Sequence, residues 1–110
     1  MTALLWLYAF AWTLALELPV YVVVLRRSFT AWWPPCALAL AVNLVTHPLL
    51  WFAFPQLSPW PLHLVVSEAC VIAVEAAIVA VFVPWRRAVV AAVLANVIST
   101  LIGLVLIEIV

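Results

Sequence analysis

The sequence predicts an all-α membrane protein, a bundle of four transmembrane helices, and three observations support this prediction. Hydrophobic residues make up 72% of the 110 residues and charged residues only 7%, which leaves too little polar sequence to cover a water-soluble domain of this size. Four apolar runs of about 20 residues follow one another, each long enough to cross a bilayer. Short segments rich in proline, tryptophan and arginine separate these runs.

The four spans are predicted at residues 3–25, 35–54, 62–83 and 88–110. They form one transmembrane domain, because almost no sequence remains between them to build a second one. Prolines lie at or beside the ends of these spans, at positions 34, 35, 55, 61 and 84, where a missing backbone donor disturbs a helix least.

The arginines determine the predicted orientation. All four basic residues are arginines, in the pairs Arg26-Arg27 and Arg86-Arg87, which follow the first and the third span. Because consecutive spans run in opposite directions, both pairs fall on one side of the membrane, which the positive-inside rule makes cytoplasmic. Loops 26–34 and 84–87 are therefore predicted to be cytoplasmic, whereas loop 55–61 and both termini are predicted to lie outside.

The predicted location is a bacterial cytoplasmic (inner) membrane, with the lipid bilayer as the main partner. A formal net charge of zero argues against nucleic acid, which binds basic surfaces. Cys36 and Cys70 differ in depth by roughly 15–20 Å at ~1.5 Å per residue, which is beyond the reach of a disulfide. Both cysteines are predicted to be small core residues.

The fourth span carries a small residue at every fourth position, at Ala91, Ala95, Ser99 and Gly103. Such a stripe lets two helices approach closely. It predicts either internal packing against the third span, at Ala69, Ala73 and Ala77, or a homodimer formed through the fourth helices. A different membrane subunit is a further candidate partner. Four helices of this length are expected to enclose little more than their own side chains, which disfavours a solute path within one chain.

Polar residues inside the spans fall into two layers. At ~1.5 Å rise per residue, one layer lies roughly 12 Å from the arginine side and contains one residue from each span, namely Glu17, Asn43, Glu75 and Asn96. The second layer lies nearer the middle of the membrane and contains Thr46, His47, Glu68, Ser99 and Thr100. A polar layer that all four helices share predicts that they meet around a common axis.

The third span contains two glutamates, Glu68 and Glu75, seven residues apart. Seven residues make close to two helical turns, so both carboxyl groups are expected on the same face. A carboxylate in the middle of a membrane costs roughly 2.5–3.5 kcal/mol on insertion scales. The pair is therefore predicted to face protein, water, an ion or a proton rather than lipid, with at least one carboxyl group protonated at neutral pH because of their mutual repulsion.

The two halves of the chain also share a pattern. Each half has a glutamate, then an arginine pair, then an asparagine followed after two residues by a hydroxyl residue, at Asn43 with Thr46 and at Asn96 with Ser99. Two helical hairpins of the same orientation would produce this pattern, related by an axis along the membrane normal. The sequence thus indicates a repeat, although runs of alanine and valine also align by chance.

The predicted intramembrane polar site consists of Glu17, Asn43, Thr46, His47, Glu68, Glu75, Asn96 and Ser99. Asparagine and hydroxyl residues in a membrane also serve to join helices, whereas glutamates favour a functional role. The favoured function is transport or permeation of protons, cations or a small solute. One alternative is a membrane-embedded enzyme that acts on a lipid-soluble substrate, and another is a structural subunit of a larger assembly. No catalytic residue is assigned, because neither Ser67 nor Ser99 lies in a nucleophile motif.

No cofactor is predicted, and a metal ion is retained only as an alternative. Carboxylate and imidazole side chains are metal ligands in helical bundles, so the candidate ligands are Glu17, His47, Glu68 and Glu75. The usual Glu-x-x-His and His-Glu-x-x-His spacings are not found in the sequence. The metal prediction is therefore weaker than that of a proton or cation site.

Overall fold

The computed structural model describes residues 2–109, with side chains for residues 3–105, as four helices joined by short connections. The helices are α1 (Thr2–Leu25), α2 (Trp33–Pro48), α3 (Trp60–Val79) and α4 (Trp85–Ile109). Each helix contributes a segment long and apolar enough to cross a membrane. The molecule measures 41 × 23 × 23 Å, and its long axis matches the roughly 40–45 Å of a bilayer with its headgroups. The predicted four-helix transmembrane bundle is confirmed.

The helices form a ring in chain order. Helix α1 packs against α2 and α4, and α3 closes the ring by packing against α4 and α2. The α1–α4 interface is the most extensive, and the α2–α3 interface is the least extensive. Side chains on the inner faces of all four helices therefore point toward one axis.

The turn between α3 and α4 differs from the prediction. Helix α3 ends at Val79, four residues before the predicted end, and α4 begins at Trp85 rather than at residue 88. Pro84 causes both shifts, because proline disfavours a helical conformation in the residue before it and cannot donate a backbone hydrogen bond. Its carbonyl instead accepts a hydrogen bond from the Ala88 amide at 3.1 Å, in the first turn of α4.

A proline also ends α2. Pro48 has no amide hydrogen for the carbonyl one turn earlier, and after it the chain continues as a π-helical turn, Leu49–Ala53. The Phe54 amide closes this turn by donating to the Leu49 carbonyl at 2.8 Å. In contrast, α1 continues through Pro19 without a break.

The half of the bundle near the arginines has an apolar core. Its buried members come from all four helices and are Tyr21, Leu25, Leu38, Ala39, Val42, Val79, Val83, Ala88, Ala91 and Ala95. Both arginine pairs lie at this end, where Arg87 of α4 donates to the Ser28 hydroxyl at 2.7 Å. The cytoplasmic assignment of this end stays a prediction.

The small residues of α4 pack inside the chain. Ala91 and Ala95 are fully buried and belong to the same core as Tyr21 and Leu25 of α1. Two copies therefore cannot meet through these alanines while the bundle is intact. The predicted internal partners on α3 are also wrong, since Ala69, Ala73 and Ala77 are all exposed. The stripe instead gives α1 room to pack its larger side chains.

The two cysteines do not form a disulfide. Both are free, with Cys36 partly buried and Cys70 exposed. The prediction that both are core residues is therefore wrong for Cys70. The buried face of α3 runs through Ser67, Glu75 and Val79, and Cys70 lies off that face.

The predicted topology can be tested by labelling single cysteines from outside the cell. In a chain with Cys36 and Cys70 replaced by alanine, Ser58→Cys should react with a membrane-impermeant maleimide in intact cells. Ser28→Cys should react only after the membrane is opened, because it lies at the arginine end. The reverse labelling pattern would invert the orientation.

The packing of α4 predicts a second outcome. Ala95→Leu should lower the free energy of unfolding by about 1–3 kcal/mol, because extra methylene groups overpack a filled core. The matched control is Ala73→Leu, which places the same side chain on an exposed face of α3 and should change stability little. Unfolding of the detergent-solubilised protein by sodium dodecyl sulfate measures both. Equal stability of the two variants would contradict the buried position of Ala95.

Candidate functional site

The predicted first polar layer is organised as two glutamate–asparagine pairs. The Asn43 amide donates to Glu17 Oε1 at 3.2 Å, which joins α2 to α1. The Asn96 amide donates to Glu75 Oε2 at 2.5 Å, which joins α4 to α3. All four side chains are at most 4% exposed. Each helical hairpin is therefore held together by one buried amide–carboxyl contact.

The two asparagines use their amide groups in the same way. Asn43 donates its other hydrogen to the Ala39 carbonyl, and Asn96 donates its own to the Ala92 carbonyl, both at 2.8 Å. Because a side-chain amide has two N–H donors, each asparagine is anchored to its own helix while it binds a carboxyl group. A leucine of similar size could do neither.

The burial pattern extends the likeness between the hairpins. Aligning Glu17 with Glu75 places two buried core residues of α1, Tyr21 and Leu25, on the buried residues Val79, at the end of α3, and Val83, in the turn that follows. Aligning Asn43 with Asn96 likewise places Ala39 and Val42 of α2 on Ala92 and Ala95 of α4, all four fully buried. At these four pairs of equivalent positions the burial matches, as the repeat suggested by the sequence requires.

The hairpins differ in the hydrogen bond to the second oxygen of each carboxyl group. Ser99 of α4 donates to Glu17 Oε2 at 2.8 Å, so both oxygens of Glu17 accept a hydrogen bond. Thr46, at the matching position of α2, donates instead to the Val42 carbonyl at 2.9 Å. Glu75 Oε1 therefore has no hydrogen-bond partner among the described residues, although it is completely buried.

A polar cavity of about 200 Å³ lies beside these pairs and is partly open to the surface. It is lined by Ala9, Thr13, Glu17, Asn43, Thr46, His47, Leu50, Trp51, Glu68, Val71, Asn96, Ser99 and Thr100. Since Ala9, Leu50 and Trp51 lie toward the end opposite the arginines, the cavity occupies that half of the bundle. The expectation that one chain encloses little more than its own side chains is therefore wrong.

The cavity brings together all the predicted site residues except Glu75. The two glutamates of α3, predicted on one face, both turn inward but meet different surroundings. Glu68 lines the cavity and is partly exposed. Glu75 is 0% exposed and contacts Asn96, which lines the cavity.

His47 forms part of the cavity wall beside aromatic rings. Its Nε2 lies 3.3 Å from the Thr13 hydroxyl of α1. Its ring contacts Phe10 edge-on, with the centroids 5.4 Å apart, and is stacked with Trp51 at 6.3 Å. Its Nδ1 is buried without a partner among the described residues.

Two residues near the site are absent from the sequence prediction. Thr13 and Tyr21 lie one turn before and one turn after Glu17 on α1, on the same inward face. Polar atoms at positions 13, 17 and 21 repeat at helical spacing, and this is the signal that could have identified them. Tyr21 is fully buried, and its hydroxyl has no hydrogen-bond partner among the described residues.

The buried carboxyl groups are held by neutral donors. The hydrogen bonds to Glu17 and Glu75 come from amide and hydroxyl groups, whereas all four arginines are exposed at the far end of the apolar core. Within the part of the chain with described side chains, no three His, Cys, Asp or Glu residues are grouped to hold a metal ion. The arrangement is therefore suited to binding a proton or a positive charge at the carboxyl groups themselves.

Comparisons with known proteins do not assign the chain to a family. No protein-family model matches the chain, and no significant match was found among curated proteins or solved structures. The candidate site therefore depends on the residues and their geometry alone.

The contact between Glu75 and Asn96 predicts an energetic coupling. In a double-mutant cycle with Glu75→Leu and Asn96→Leu, the pair should show a coupling energy of about 0.6–1.7 kcal/mol, the size measured for hydrogen bonds between transmembrane helices. Unfolding of each variant in mixed detergent micelles gives the four stabilities. The control cycle pairs Glu75→Leu with His63→Ala, more than two turns away along α3, and should be additive within about 0.5 kcal/mol. Additivity in both cycles would contradict the pair.

Proposed function

We propose that this protein transports protons, or lets protons or a small cation permeate, with Glu17 and Glu75 as the binding groups. The observation that supports the proposal best is the pair of buried carboxyl groups, held by neutral donors beside a polar cavity within the membrane. Such groups bind and release protons without a change of fold.

The cost of burial favours a functional role for the carboxyl groups. A hydrogen bond between transmembrane helices contributes about 0.6–2 kcal/mol, and asparagine or serine supplies it without a charge. An ionised glutamate costs roughly 2.5–3.5 kcal/mol at the membrane centre. If helix association were the only role of the site, two glutamates would be an unfavourable choice for it.

The size of the cavity limits what can bind there. Pockets for drug-sized ligands measure about 300–1,000 Å³, whereas this cavity measures about 200 Å³. At roughly 30 Å³ per molecule of liquid water, such a volume is equivalent to about seven waters. A hydrated proton or a small inorganic or ammonium cation suits this volume better than a larger solute.

The position of the cavity suggests the route. The cavity reaches Glu17 from the end opposite the arginines, and the apolar core lies between this point and the arginine end. Passage across the membrane would therefore require the helices to rearrange around the core. The π-helical turn Leu49–Ala53, which contributes Leu50 and Trp51 to the cavity wall, is a suitable place for such movement, because these turns recur at functional sites.

Replacing Glu75 tests the proposal. Glu75→Gln should keep the fold and take up about one proton fewer than the wild type when the protein is titrated in detergent. In vesicles that contain a pH-sensitive dye, the variant should show at least a tenfold slower proton flux, of the size expected when a catalytic proton-binding group is removed. The chain has only four carboxyl side chains, which makes the proton count practicable.

The matched control is Glu108→Gln, at a position that the sequence predicts at the outer interface and that lies outside the described side chains. This variant should leave proton flux unchanged. If Glu75→Gln takes up as many protons as the wild type, the proposal fails. If Glu75→Gln loses its fold and the wild type shows no proton flux, a structural subunit would be favoured. Turnover of a lipid-soluble substrate would favour an enzyme.

A further inference from the structure

We infer that Tyr21 is a positioning residue for Glu75, which it orients through a hydrogen bond between its hydroxyl and Glu75 Oε1. This inference rests on the proposed function and adds a residue to the same site. Two unpaired polar atoms carry it, the Tyr21 hydroxyl and Glu75 Oε1. Both are completely buried and have no partner among the described residues.

Proximity supports the pairing. Tyr21 belongs to the same buried core as Val79, which lies one helical turn after Glu75 on α3. Rotation of the two side chains, or one bridging water, would join the hydroxyl to Glu75 Oε1. Buried polar atoms left without partners destabilise a fold, so the contact would remove two such penalties at once.

Among the described residues, the other groups near Glu75 do not bond to its Oε1, so this oxygen is free to bind Tyr21. Glu17 on α1 and Glu68 on α3 are the other titratable groups close to Glu75. Both oxygens of Glu17 are already bonded, and Glu68 turns to the cavity. From α4, Asn96 binds the opposite oxygen, Oε2.

The chemistry of the hydroxyl explains why a tyrosine suits this place. The side-chain amide nitrogen of Asn96 only donates hydrogen bonds, so it cannot accept the proton of a protonated carboxyl group. A phenol both donates and accepts. Tyr21 can therefore accept a hydrogen bond from protonated Glu75 and donate one to ionised Glu75, which keeps the carboxyl group in one orientation as the proton comes and goes.

The second hairpin provides an internal comparison. The position equivalent to Tyr21 is Val79, which is equally buried and wholly apolar. Packing at this level of the core therefore does not require a hydroxyl. Tyr21 carries the hydroxyl on the helix next to α4, where it can serve the carboxyl group of the other hairpin, just as Ser99 of the second hairpin serves Glu17 of the first.

The test removes only the hydroxyl. Tyr21→Phe should shift the infrared C=O band of protonated Glu75, a band identified by its loss in Glu75→Gln. It should also slow proton flux into vesicles by about tenfold, the effect of losing one hydrogen bond to a charged group. The matched control is Tyr8→Phe on the same helix, because Tyr8 is 68% exposed. Tyr8→Phe should change neither the band nor the flux.

A second measurement keeps the buried ring and the hydroxyl in place. The chain has two tyrosines, so in the Tyr8→Phe protein 3-fluorotyrosine supplied during growth labels Tyr21 alone. The fluorinated phenol is more acidic, and the Glu75 band should shift if the two groups are bonded. A Glu75 band that stays in place in either experiment overturns the inference. If Glu75→Gln lowers flux while Tyr21→Phe does not, the proposed function stands and the role of Tyr21 falls.

Discussion

The constraint on which the rest of the structure depends is the burial of two carboxyl groups in a membrane protein without a basic side chain beside them. Glu17 and Glu75 can lie there only because amide and hydroxyl donors take the place of water. Each donor must come from a different helix than its glutamate, so the polar layer also determines which helices are neighbours. The helix arrangement and the proposed function therefore depend on the same few hydrogen bonds.

The apolar half of the bundle supports this layer. Large side chains of α1, such as Tyr21 and Leu25, share a core with the alanines of α4 at positions 88, 91 and 95. Because these alanines have short side chains, the two helices approach closely, and this is the most extensive interface of the bundle. Close approach in turn brings Ser99 of α4 to Glu17 of α1. The small residues of α4 thus contribute to the site without lining it themselves.

The sequence predicts the fold well, because the four spans follow from apolar length, and helical spacing explains why the polar residues of different spans share a depth. The glutamate and asparagine of each hairpin share a predicted depth, and the structure joins them. The sequence could not show which acceptors Ser99 and Thr46 use. Each hydroxyl can donate either to a backbone carbonyl of its own helix or to a group on a neighbouring helix. Depth and spacing also give no information on cavity volume, which depends on how the four helices pack around it. Cys70 was misplaced because an apolar helix gives little indication of which face is buried.

Comparison of the hairpins separates what the bundle needs from what the site needs. Positions that match in both hairpins, a glutamate, an asparagine and buried apolar residues, build the polar layer and its support. At other equivalent positions the two hairpins carry side chains of different chemistry. Tyr21 corresponds to Val79, His47 to Thr100, and Phe10 to Glu68. The second and third of these pairs lie at or beside the cavity. A symmetric pair of hairpins would place both carboxyl groups alike, whereas these differences leave Glu17 facing the cavity and Glu75 behind Asn96. Under the proposed function, two carboxyl groups in unequal surroundings would hold and pass on a proton in a defined order.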